Sequence, residues 1–298
     1  YKNSEDIDVT IKIEKIKKVS DTPVLSILDL CCGKGGDIFK WLDNDIKLCV
    51  GLDLFADCIY NTTNGAKSRY AKHRSTVKQS AQSHMEFFVA DCSKKIFNPP
   101  YDKGTNAFYK SQDDFTKFNT IKPDQGFDII SIMFALHYFF KDETSLNNLI
   151  DNIDKNLRVG GILIGVCFDG EKIYNVLKDK VKDESIEGNT SANELIWKIT
   201  KKYDNFATNN FTTDDNTTLG MPISVFVRSI NTSITEYLVN FNYFNKKLED
   251  KNIKIVPATE IGDYESIERL FPSGKGSLKD YEKQFSKLNK LFIFKKYS

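Results

Sequence analysis

The stretch ILDLCCGKGGDIFKW, residues Ile27 to Trp41, decides the fold. An apolar run ends in a turn that contains three glycines, and an aspartate and a second apolar segment follow the turn. This order predicts a buried strand, a tight turn and a helix, an arrangement whose exposed backbone N–H groups commonly hold a nucleotide. Cys31 occupies the place of the first glycine of a dinucleotide-binding turn, and Lys34 stands in the middle of it. The turn therefore predicts a nucleotide site and leaves the nucleotide open.

Strand-like and helix-like segments alternate over the first part of the chain. Apolar runs of strand length lie at residues 24–30, 47–54, 85–93, 126–140 and 162–167, and helical patterns lie at residues 37–42, 56–72 and 145–157. This alternation predicts a parallel sheet with helices on both faces. Farther along we expect a polar segment at 184–219, strands at 222–230, 253–258 and 290–296, and an amphipathic helix at 235–250. The last strand is expected to close the sheet.

The composition excludes several classes of protein. The 298 residues carry a net charge of +1, so no overall positive field points to nucleic acid, although a local basic groove is not excluded. No apolar run approaches the roughly 20 residues that span a bilayer, and we expect no membrane partner. The six cysteines form no Cys-x-x-Cys pair, so no structural metal site is expected. The chain opens on Tyr1 and not on methionine, and we expect it to be a fragment of a longer protein.

Acidic side chains mark the ends of the first three predicted strands. Asp29 lies just before the turn, Asp53 ends the second strand, and Asp91 follows the third. In an open parallel sheet, ligands bind beyond the carboxyl ends of the strands, where the strand order reverses. A carboxylate at Asp53 can accept hydrogen bonds from both hydroxyls of a ribose, and one at Asp91 from an adenine amino group. The alternative is that the three carboxylates only cap strand ends.

Asp37 indicates the charge of the ligand. A carboxylate directly after Gly36, at the start of the helix, repels a pyrophosphate but suits a cationic or zwitterionic ligand. The sulfonium and ammonium groups of S-adenosylmethionine meet this requirement, whereas the pyrophosphate of NAD does not. The turn therefore favours the methyl donor over a nicotinamide dinucleotide.

Three motifs resemble signatures of the mRNA cap guanine-N7 methyltransferases: LDLCCGKGGD at residues 28–37, FALHYFF at 134–140 and TEYLVNF at 235–241. The resemblance implies an α/β, Rossmann-like class I S-adenosylmethionine-dependent methyltransferase, with a mostly parallel seven-stranded sheet and a cap-binding insertion. It implies methyl transfer from S-adenosylmethionine to N7 of the cap guanine, with S-adenosylhomocysteine as product and no metal. The Asn-rich chain also resembles the methyltransferase domain of a multifunctional capping enzyme of a large DNA virus of the asfarvirus kind.

The resemblance assigns roles to residues in and around these motifs. On the donor side it implies Asp29, Cys31, Gly33, Asp37, Asp53, Asp91 and Met133. On the cap side it implies Lys34 and Lys40 near the triphosphate, and Phe134, His137, Tyr138 and Glu236 around the guanine. Guanine N7 carries a free lone pair, so no general base is implied, and His137, Tyr138 and Glu236 are expected to hold N7 in line with the methyl group.

Each cap-side assignment has a structural alternative. Taken alone, His137 is a hydrogen-bonded core histidine, Glu236 is an acid at the start of the predicted 235–250 helix, and Lys40 is a solvated helix lysine. The phenylalanines of the second motif are core side chains on the same view. Two positions depart from the family pattern: its N-terminal helix, which reaches cap and donor, is not recognisable after Tyr1, and Asn289 aligns with a cap-site Tyr of the last strand.

The resemblance also implies an organisation and a setting. We expect one methyltransferase domain over residues 1–298, with a donor-binding core at 24–170, a substrate-side insertion and helix at 171–260, and a closing segment at 261–298. The expected partners are the capped 5′ end of mRNA and triphosphatase and guanylyltransferase domains upstream in the same chain. The sequence does not show whether a stimulatory subunit is needed. The expected location is intracellular and, if the protein is viral, in the virion and in the cytoplasm of the host cell. A methyltransferase for another RNA or a small molecule, and a catalytically silent RNA-binding or partner-stabilising module, are the alternatives.

Overall fold

A computed structural model of the protein describes residues 26–44, 46–74, 83–96, 112–204, 211, 213–261 and 278–298. The strands are β1 (Ser26–Leu30), β2 (Leu48–Asp53), β3 (His84–Val89), β4 (Phe127–Met133), β5 (Leu157–Phe168), β6 (Ser185–Asn189), β7 (Leu195–Lys201), β8 (Pro222–Val227), β9 (Thr232–Tyr237), β10 (Ile253–Ile255) and β11 (Asn289–Lys296). The α-helices are α1 (Ile38–Asp43), α2 (Ala56–Tyr60), α3 (Ala66–Arg74), α4 (Gln112–Ile121), α5 (Glu143–Asn156), α6 (Gly170–Leu177), α7 (Phe241–Glu249), α8 (Ala258–Ile261) and α9 (Asp280–Lys287). Leu136–Lys141 and Asn216–Thr218 form 3₁₀ helices.

The central sheet has seven strands in the order β10-β11-β5-β4-β1-β2-β3. β11 pairs antiparallel with both of its neighbours, and the remaining pairs are parallel. The mostly parallel seven-stranded α/β sheet predicted from the sequence is therefore confirmed. β11 lies between β5 and β10, so the last strand of the chain completes the sheet as expected.

Alternate residues of the central strands face two hydrophobic cores. On β5, Leu163 and Cys167 pack in a first core that includes side chains of α5 and α7. Ile164 and Val166 on the same strand pack in a second core that includes side chains of α1. Successive side chains of a strand point to opposite faces, so burial on both faces explains the nearly continuous apolar sequence of these strands.

The strand order reverses beside β1, which pairs with β2 on one side and β4 on the other. Cys31 comes directly after β1, and Met133 ends β4. The glycine turn and the segment after β4 therefore flank the crevice in which an open α/β sheet binds its ligand.

A second sheet of four antiparallel strands lies in the predicted insertion, in the order β6-β7-β8-β9. Its edge strand β9 contacts the 3₁₀ helix Leu136–Lys141, which follows β4. The insertion thereby brings one strand to the carboxyl end of the central sheet, where the predicted substrate side lies.

The predicted helix at residues 235–250 is wrong in its first part. Thr232–Tyr237 is strand β9, in which Glu236 pairs with Ile223 of β8. The helix begins only at Phe241, because the Asn240 side chain accepts hydrogen bonds from the Asn242 and Tyr243 N–H groups at 3.0 and 3.1 Å. Glu236 is consequently a strand residue, and a helix dipole does not explain its presence.

The helical pattern at 56–72 contains Asn64-Gly65, a pair that can break a helix, and the structure divides it there into α2 and α3, with a Cβ at Gly65 lying 2.7 Å from the Asn61 carbonyl oxygen. Helix α9 was not expected, because its sequence is mostly polar, although Phe285 packs against Phe168 and Trp197. The segment after Tyr1, in which the family's N-terminal helix is not recognisable, lies outside the described residues.

Gly165 provides a test of the sheet packing. A Cβ at this position would overlap the Ile132 carbonyl oxygen and the Phe292 ring. We expect Gly165→Ala to lower the free energy of unfolding by about 1–3 kcal/mol in denaturant titrations, because a backbone oxygen cannot move aside as a side chain can. Gly36→Ala is the control, since an added Cβ there meets nothing within 4 Å. Equal stability of the two variants would contradict the packing.

Candidate active site

The glycine turn has an unusual backbone. Cys31, Gly33 and Gly35 adopt positive φ angles of 59°, 55° and 71°. A Cβ at Gly35 would collide with Ile38, whereas one at Gly33 would meet nothing within 4 Å. Gly35 is therefore required for packing, and Gly33 supplies both the left-handed conformation and open space where a ligand can approach the backbone.

Cys31 occupies a left-handed position that usually belongs to glycine. The cost of this conformation is about 1–2 kcal/mol for a residue with a Cβ, and the fold tolerates it. A hydrogen bond with Cys92 and burial raise the pKa of the Cys31 thiol well above its usual value. The side chain that lines the predicted donor site is thus a small neutral thiol.

Asp53 connects the turn to the end of β2. Its Oδ2 accepts a hydrogen bond from the Gly33 N–H at 2.8 Å, and its Oδ1 accepts one from the Phe55 N–H at 2.9 Å. Each carboxylate oxygen keeps a further lone pair for a ribose hydroxyl. Leu54 and Phe55 expose apolar side chains beside it. No motif in the sequence marks these two residues as part of a site. A carboxylate beside exposed apolar side chains is the composition expected around a nucleoside.

Asp91 lies in a turn after β3. Its Oδ1 accepts hydrogen bonds from the Ser93 N–H at 3.0 Å and from the Ser93 hydroxyl at 2.6 Å. The other oxygen is 3.8 Å from the Lys94 ammonium group. Ser93 fixes the orientation of the carboxylate, which is a role that the sequence did not predict for it.

A buried charge cluster lies beneath the turn. Asp29 Oδ1 accepts a hydrogen bond from the Ser131 hydroxyl at 2.6 Å, and Asp37 Oδ1 accepts one from the Lys40 ammonium group at 2.6 Å. Burial, reinforced by the charge of Asp37, raises the pKa of Asp29 to about 7. Lys40 exposes only 10% of its side chain, so it is not the solvated helix lysine of the alternative view. Its ion pair places it with the donor-side acids, and its contact with cap phosphates stays a prediction.

The segment after β4 presents two aromatic side chains to solvent. Met133 ends the strand and packs against the second core, while Phe134 has a φ of 53° and is 50% exposed. Tyr138 is 44% exposed. Phe139 and Phe140 are buried in the first core, so the core alternative holds for those two and not for Phe134.

His137 and Glu236 meet in a nearly dry environment. His137 Nδ1 lies 3.4 Å from Glu236 Oε2. Burial lowers the pKa of His137 to about 3 and raises that of Glu236 to about 8. Burial therefore favours the neutral form of each group. His137 Nε2 is buried, and no hydrogen-bond partner for it occurs among the described residues.

Tyr138 connects the donor side with the cap side. Burial raises the pKa of its hydroxyl to about 12, and Glu236, Cys31 and Asp53 act in the same direction when they are ionised. Glu236 belongs to the second sheet, and Cys31 and Asp53 belong to the donor side. One half-exposed hydroxyl thus lies within electrostatic reach of both, so the two predicted sites adjoin.

Asn289 does not supply the missing aromatic residue of the last strand. Its side-chain amide donates to the carbonyl oxygens of Phe285 and Ser286 at 3.3 Å, which are at the end of α9. The next residue, Lys290, lies on the same face of β11 as Phe292, which belongs to the first core. Its ammonium group lies 5.2 Å from the centre of the Phe241 ring. The side chain that β11 turns toward the cap side is consequently a lysine.

A family model for the mRNA (guanine-N(7))-methyltransferase domain matches residues 7–271, most of the chain. The chain belongs to this family.

Relatives of known name agree with the family assignment. The chain is 29% identical over 231 residues to the "Probable mRNA-capping enzyme" of Acanthamoeba polyphaga mimivirus, a match that covers 76% of this chain and 18% of that one. It is 26% identical over 238 residues to the "mRNA cap guanine-N(7) methyltransferase" of Schizosaccharomyces pombe, covering 80% and 54%. The chain thus spans about half of the fission yeast relative and less than a fifth of the viral one.

Solved structures show the same fold. An S-adenosylmethionine-dependent methyltransferase from Clostridium acetobutylicum aligns with a TM-score of 0.54 at 12% identity, over 99% of this chain and 93% of that one. A putative S-adenosylmethionine-dependent methyltransferase from Listeria monocytogenes aligns with a TM-score of 0.51 at 12% identity, over 98% and 100%. The predicted class I, Rossmann-like methyltransferase fold is confirmed.

The residues of the turn fit S-adenosylmethionine. Gly33 leaves space beside the backbone, the Asp53 carboxylate at the end of β2 contacts the Gly33 N–H, and the neutral Cys31 adds no charge. Two negative findings concern only the described residues. They contain no group of three or more His, Cys, Asp or Glu side chains that could hold a metal, and no helix that is long and apolar enough to cross a membrane.

The buried acids predict a stability profile. Glu236 keeps its proton up to a pKa of about 8 and Asp29 up to about 7, whereas in the unfolded chain both lose it near their ordinary values. Between pH 6.5 and 8 the folded state therefore binds more protons, and stability falls as pH rises. The lowered pKa of His137 acts in the opposite direction, but only between about 3 and its ordinary value of 6.5.

We expect the melting temperature to fall from pH 6.5 to pH 8.5, and Glu236→Gln to reduce that fall because the amide does not titrate. Differential scanning calorimetry across this range measures the effect. Glu249→Gln, on the exposed end of α7, is the matched control and should leave the profile of the native chain unchanged. A profile that is equally steep in both variants would contradict the burial of Glu236.

Proposed function

We propose that this chain transfers a methyl group from S-adenosylmethionine to N7 of the guanine in GpppN-ended mRNA, completing a cap-0 structure. The observation that carries the proposal is the junction at Tyr138: β1 and β4 pair, so the glycine turn after β1 lies beside the segment after β4, on which Tyr138 adjoins the His137 that meets Glu236. A methyl group and its acceptor have to meet at such a junction. The family membership and the fold support the same conclusion.

The donor would be held by the carboxyl ends of β1, β2 and β3. Asp53 would bind the ribose hydroxyls, Asp91 the adenine amino group, and the open backbone at Gly33 the rest of the nucleoside. Asp29 and Asp37 supply negative charge for the ammonium group, and Met133 ends the neighbouring strand. When bound, the donor supplies an electrophilic methyl group on a sulfonium.

The guanine would be read by the neutral pair on the other side. Its N1–H and amino group present two donors, which favour a carboxylate at Glu236. The proton of Glu236 Oε2 would then pass to His137 Nδ1, 3.4 Å away, and His137 Nε2 would donate to guanine O6. Nε2 has no partner among the described residues, and a purine carbonyl gives it one. Tyr138 and Phe134 offer exposed rings for the base.

These residues would act by position and by charge. Holding N7, methyl carbon and sulfur in line is worth up to roughly 7–11 kcal/mol, and no base has to remove a proton from N7. As the purine becomes positive, the Glu236 carboxylate in its buried position stabilises that charge more than it stabilises neutral guanine. Lys34, Lys290 and, as a weaker candidate, Lys40 would bind oxygens of the triphosphate as point charges.

The setting of the reaction is also proposed. The mimivirus relative is named a capping enzyme, and this chain matches 18% of its length. We infer that triphosphatase and guanylyltransferase domains precede this segment in a longer viral chain, and that the protein works inside the infected cell.

One assay tests the function. The chain is incubated with radiolabelled S-adenosylmethionine and either GpppA-ended or m7GpppA-ended RNA. We expect transfer to the first RNA only, because the second already carries its N7 methyl group. Transfer to neither RNA, with tight donor binding, would favour a silent module, and transfer to an uncapped RNA would favour another substrate.

Two variants separate the donor side from the cap side. Asp53→Ala should lose donor binding, measured by calorimetry, because the ribose loses its acceptor and the Gly33 N–H its partner. Glu236→Ala should bind the donor normally and lose at least about 100-fold in cap turnover, on the order of one oxyanion-type contact. Full cap activity of Glu236→Ala would overturn the assignment of the guanine site.

A further inference from the structure

Three cationic side chains converge on two consecutive residues next to the glycine turn. The Lys34 ammonium group donates to Asn64 Oδ1 at 3.2 Å, and Arg69 Nε donates to the Asn64 carbonyl oxygen at 3.1 Å. The Lys72 ammonium group donates to the Thr63 carbonyl oxygen at 2.6 Å. The Lys34 ammonium group also pairs with Asp57, at 3.0 Å. Three cationic groups therefore contact this short loop.

The convergence lies on the surface. All of these contacts are solvent-exposed, and water can satisfy a carbonyl oxygen on an exposed loop. Like charges that converge on one loop repel one another, and a ligand of opposite charge would relieve that repulsion.

The positive charge continues along α3. Residues 66–74 read AKSRYAKHR, with four Lys and Arg residues and no acid. Two acids interact with residues next to these cations: Asp114 with the Tyr60 hydroxyl and Asp43 with the His73 ring. Neither acid belongs to α3. A helix of nine residues is about 13 Å long, which accommodates on the order of three phosphates of one strand.

Aromatic rings accompany these cations. The Lys67 ammonium group lies 4.8 Å from the centre of the half-exposed Tyr60 ring. The exposed Phe39 ring lies 3.6 Å from the His73 ring, centre to centre. Exposed rings interleaved with cations are the composition of surfaces on which unpaired bases stack while the backbone is neutralised. A free phosphate or an acidic peptide has no use for them.

We propose that the surface formed by Lys34, Lys67, Arg69 and Lys72, with Tyr60 and Phe39, binds the sugar-phosphate backbone of the first nucleotides that follow the cap. The surface begins at Lys34, inside the glycine turn, and runs along α3 away from the junction at Tyr138. Such a surface predicts that capped RNA binds more tightly than a bare cap dinucleotide. This inference rests on the proposed function for the identity of the RNA and goes beyond it in naming a second binding surface.

The experiment compares two substrates of the same chemistry. Methyl transfer is measured on GpppA and on a ten-nucleotide GpppA-ended RNA, with the native chain and with Lys67→Gln/Lys72→Gln. The control is Lys182→Gln/Lys202→Gln, which removes two positive charges that pair with Asp204 and Asp183 far along the chain. Melting temperatures establish that both double variants are folded.

We expect Lys67→Gln/Lys72→Gln to raise the KM for the capped RNA at least fivefold and to leave the KM for GpppA unchanged. The dependence of log KM on log salt concentration should lose about 1.4 in slope, at about 0.7 for each single-strand phosphate contact. The control variant should match the native chain in both substrates. Identical KM values for capped RNA in the two double variants would overturn the proposal.

Failure of the proposed function is distinguishable from failure of the surface. If the native chain methylates neither substrate, binding of the 3′-labelled capped RNA is measured by fluorescence anisotropy with the same variants. A fivefold or greater loss of affinity in Lys67→Gln/Lys72→Gln alone would then support the surface without the reaction. Equal affinity in all three proteins would reject it.

Discussion

The carboxylate of Asp53 is the interaction on which the donor side depends. Parallel pairing of β1 with β2 brings Gly33 next to a residue twenty positions later, and the two hydrogen bonds of Asp53 then fix both the turn and the loop after β2. Without the carboxylate, the Gly33 N–H would lose its acceptor in a partly buried position. The same charge reaches the Tyr138 hydroxyl, so one side chain connects three segments of the site.

Desolvation determines the chemistry on the other side. A buried carboxyl costs free energy when it is ionised, so Glu236 keeps its proton to a higher pH than usual. The cost of ionising it arises where β9 meets the 3₁₀ helix after β4, which is where a substrate with two adjacent N–H donors would offset it. Asp29 carries a similar cost on the opposite face of the sheet, but the Ser131 hydroxyl and the nearby Lys40 partly offset it. The two acids thus suit different partners: Glu236 suits a neutral nucleobase, and Asp29 suits a cation.

The sequence predicted the central sheet because its signals are local. Apolar runs, glycines and strand-end acids are readable one segment at a time, and the turn at Cys31–Asp37, the parallel sheet and the closing role of β11 followed from them. What it missed depends on contacts between distant segments. Thr232–Tyr237 carries a helix-compatible pattern, and only its pairing with β8 makes it a strand. Ser131, Ser93 and Lys290 gave no signal, because their roles come from neighbours that the fold supplies. The Asn240 cap was readable, and recognising it would have ended the predicted helix at the right residue.

The positions of two lysines show why charge counting along the sequence is insufficient. Lys34 and Lys40 lie six residues apart and were predicted to share a role at the cap phosphates. Lys40 is nearly buried and pairs with Asp37 at 2.6 Å, so an incoming phosphate would have to displace a carboxylate in a site of low polarity. Lys34 is exposed and shares its surroundings with Arg69 and Lys72, so a phosphate there relieves repulsion that already exists. A net charge of +1 over the chain conceals this difference, because attraction for an anion is decided by the charges within a Debye length of about 8–10 Å and by the burial of each one.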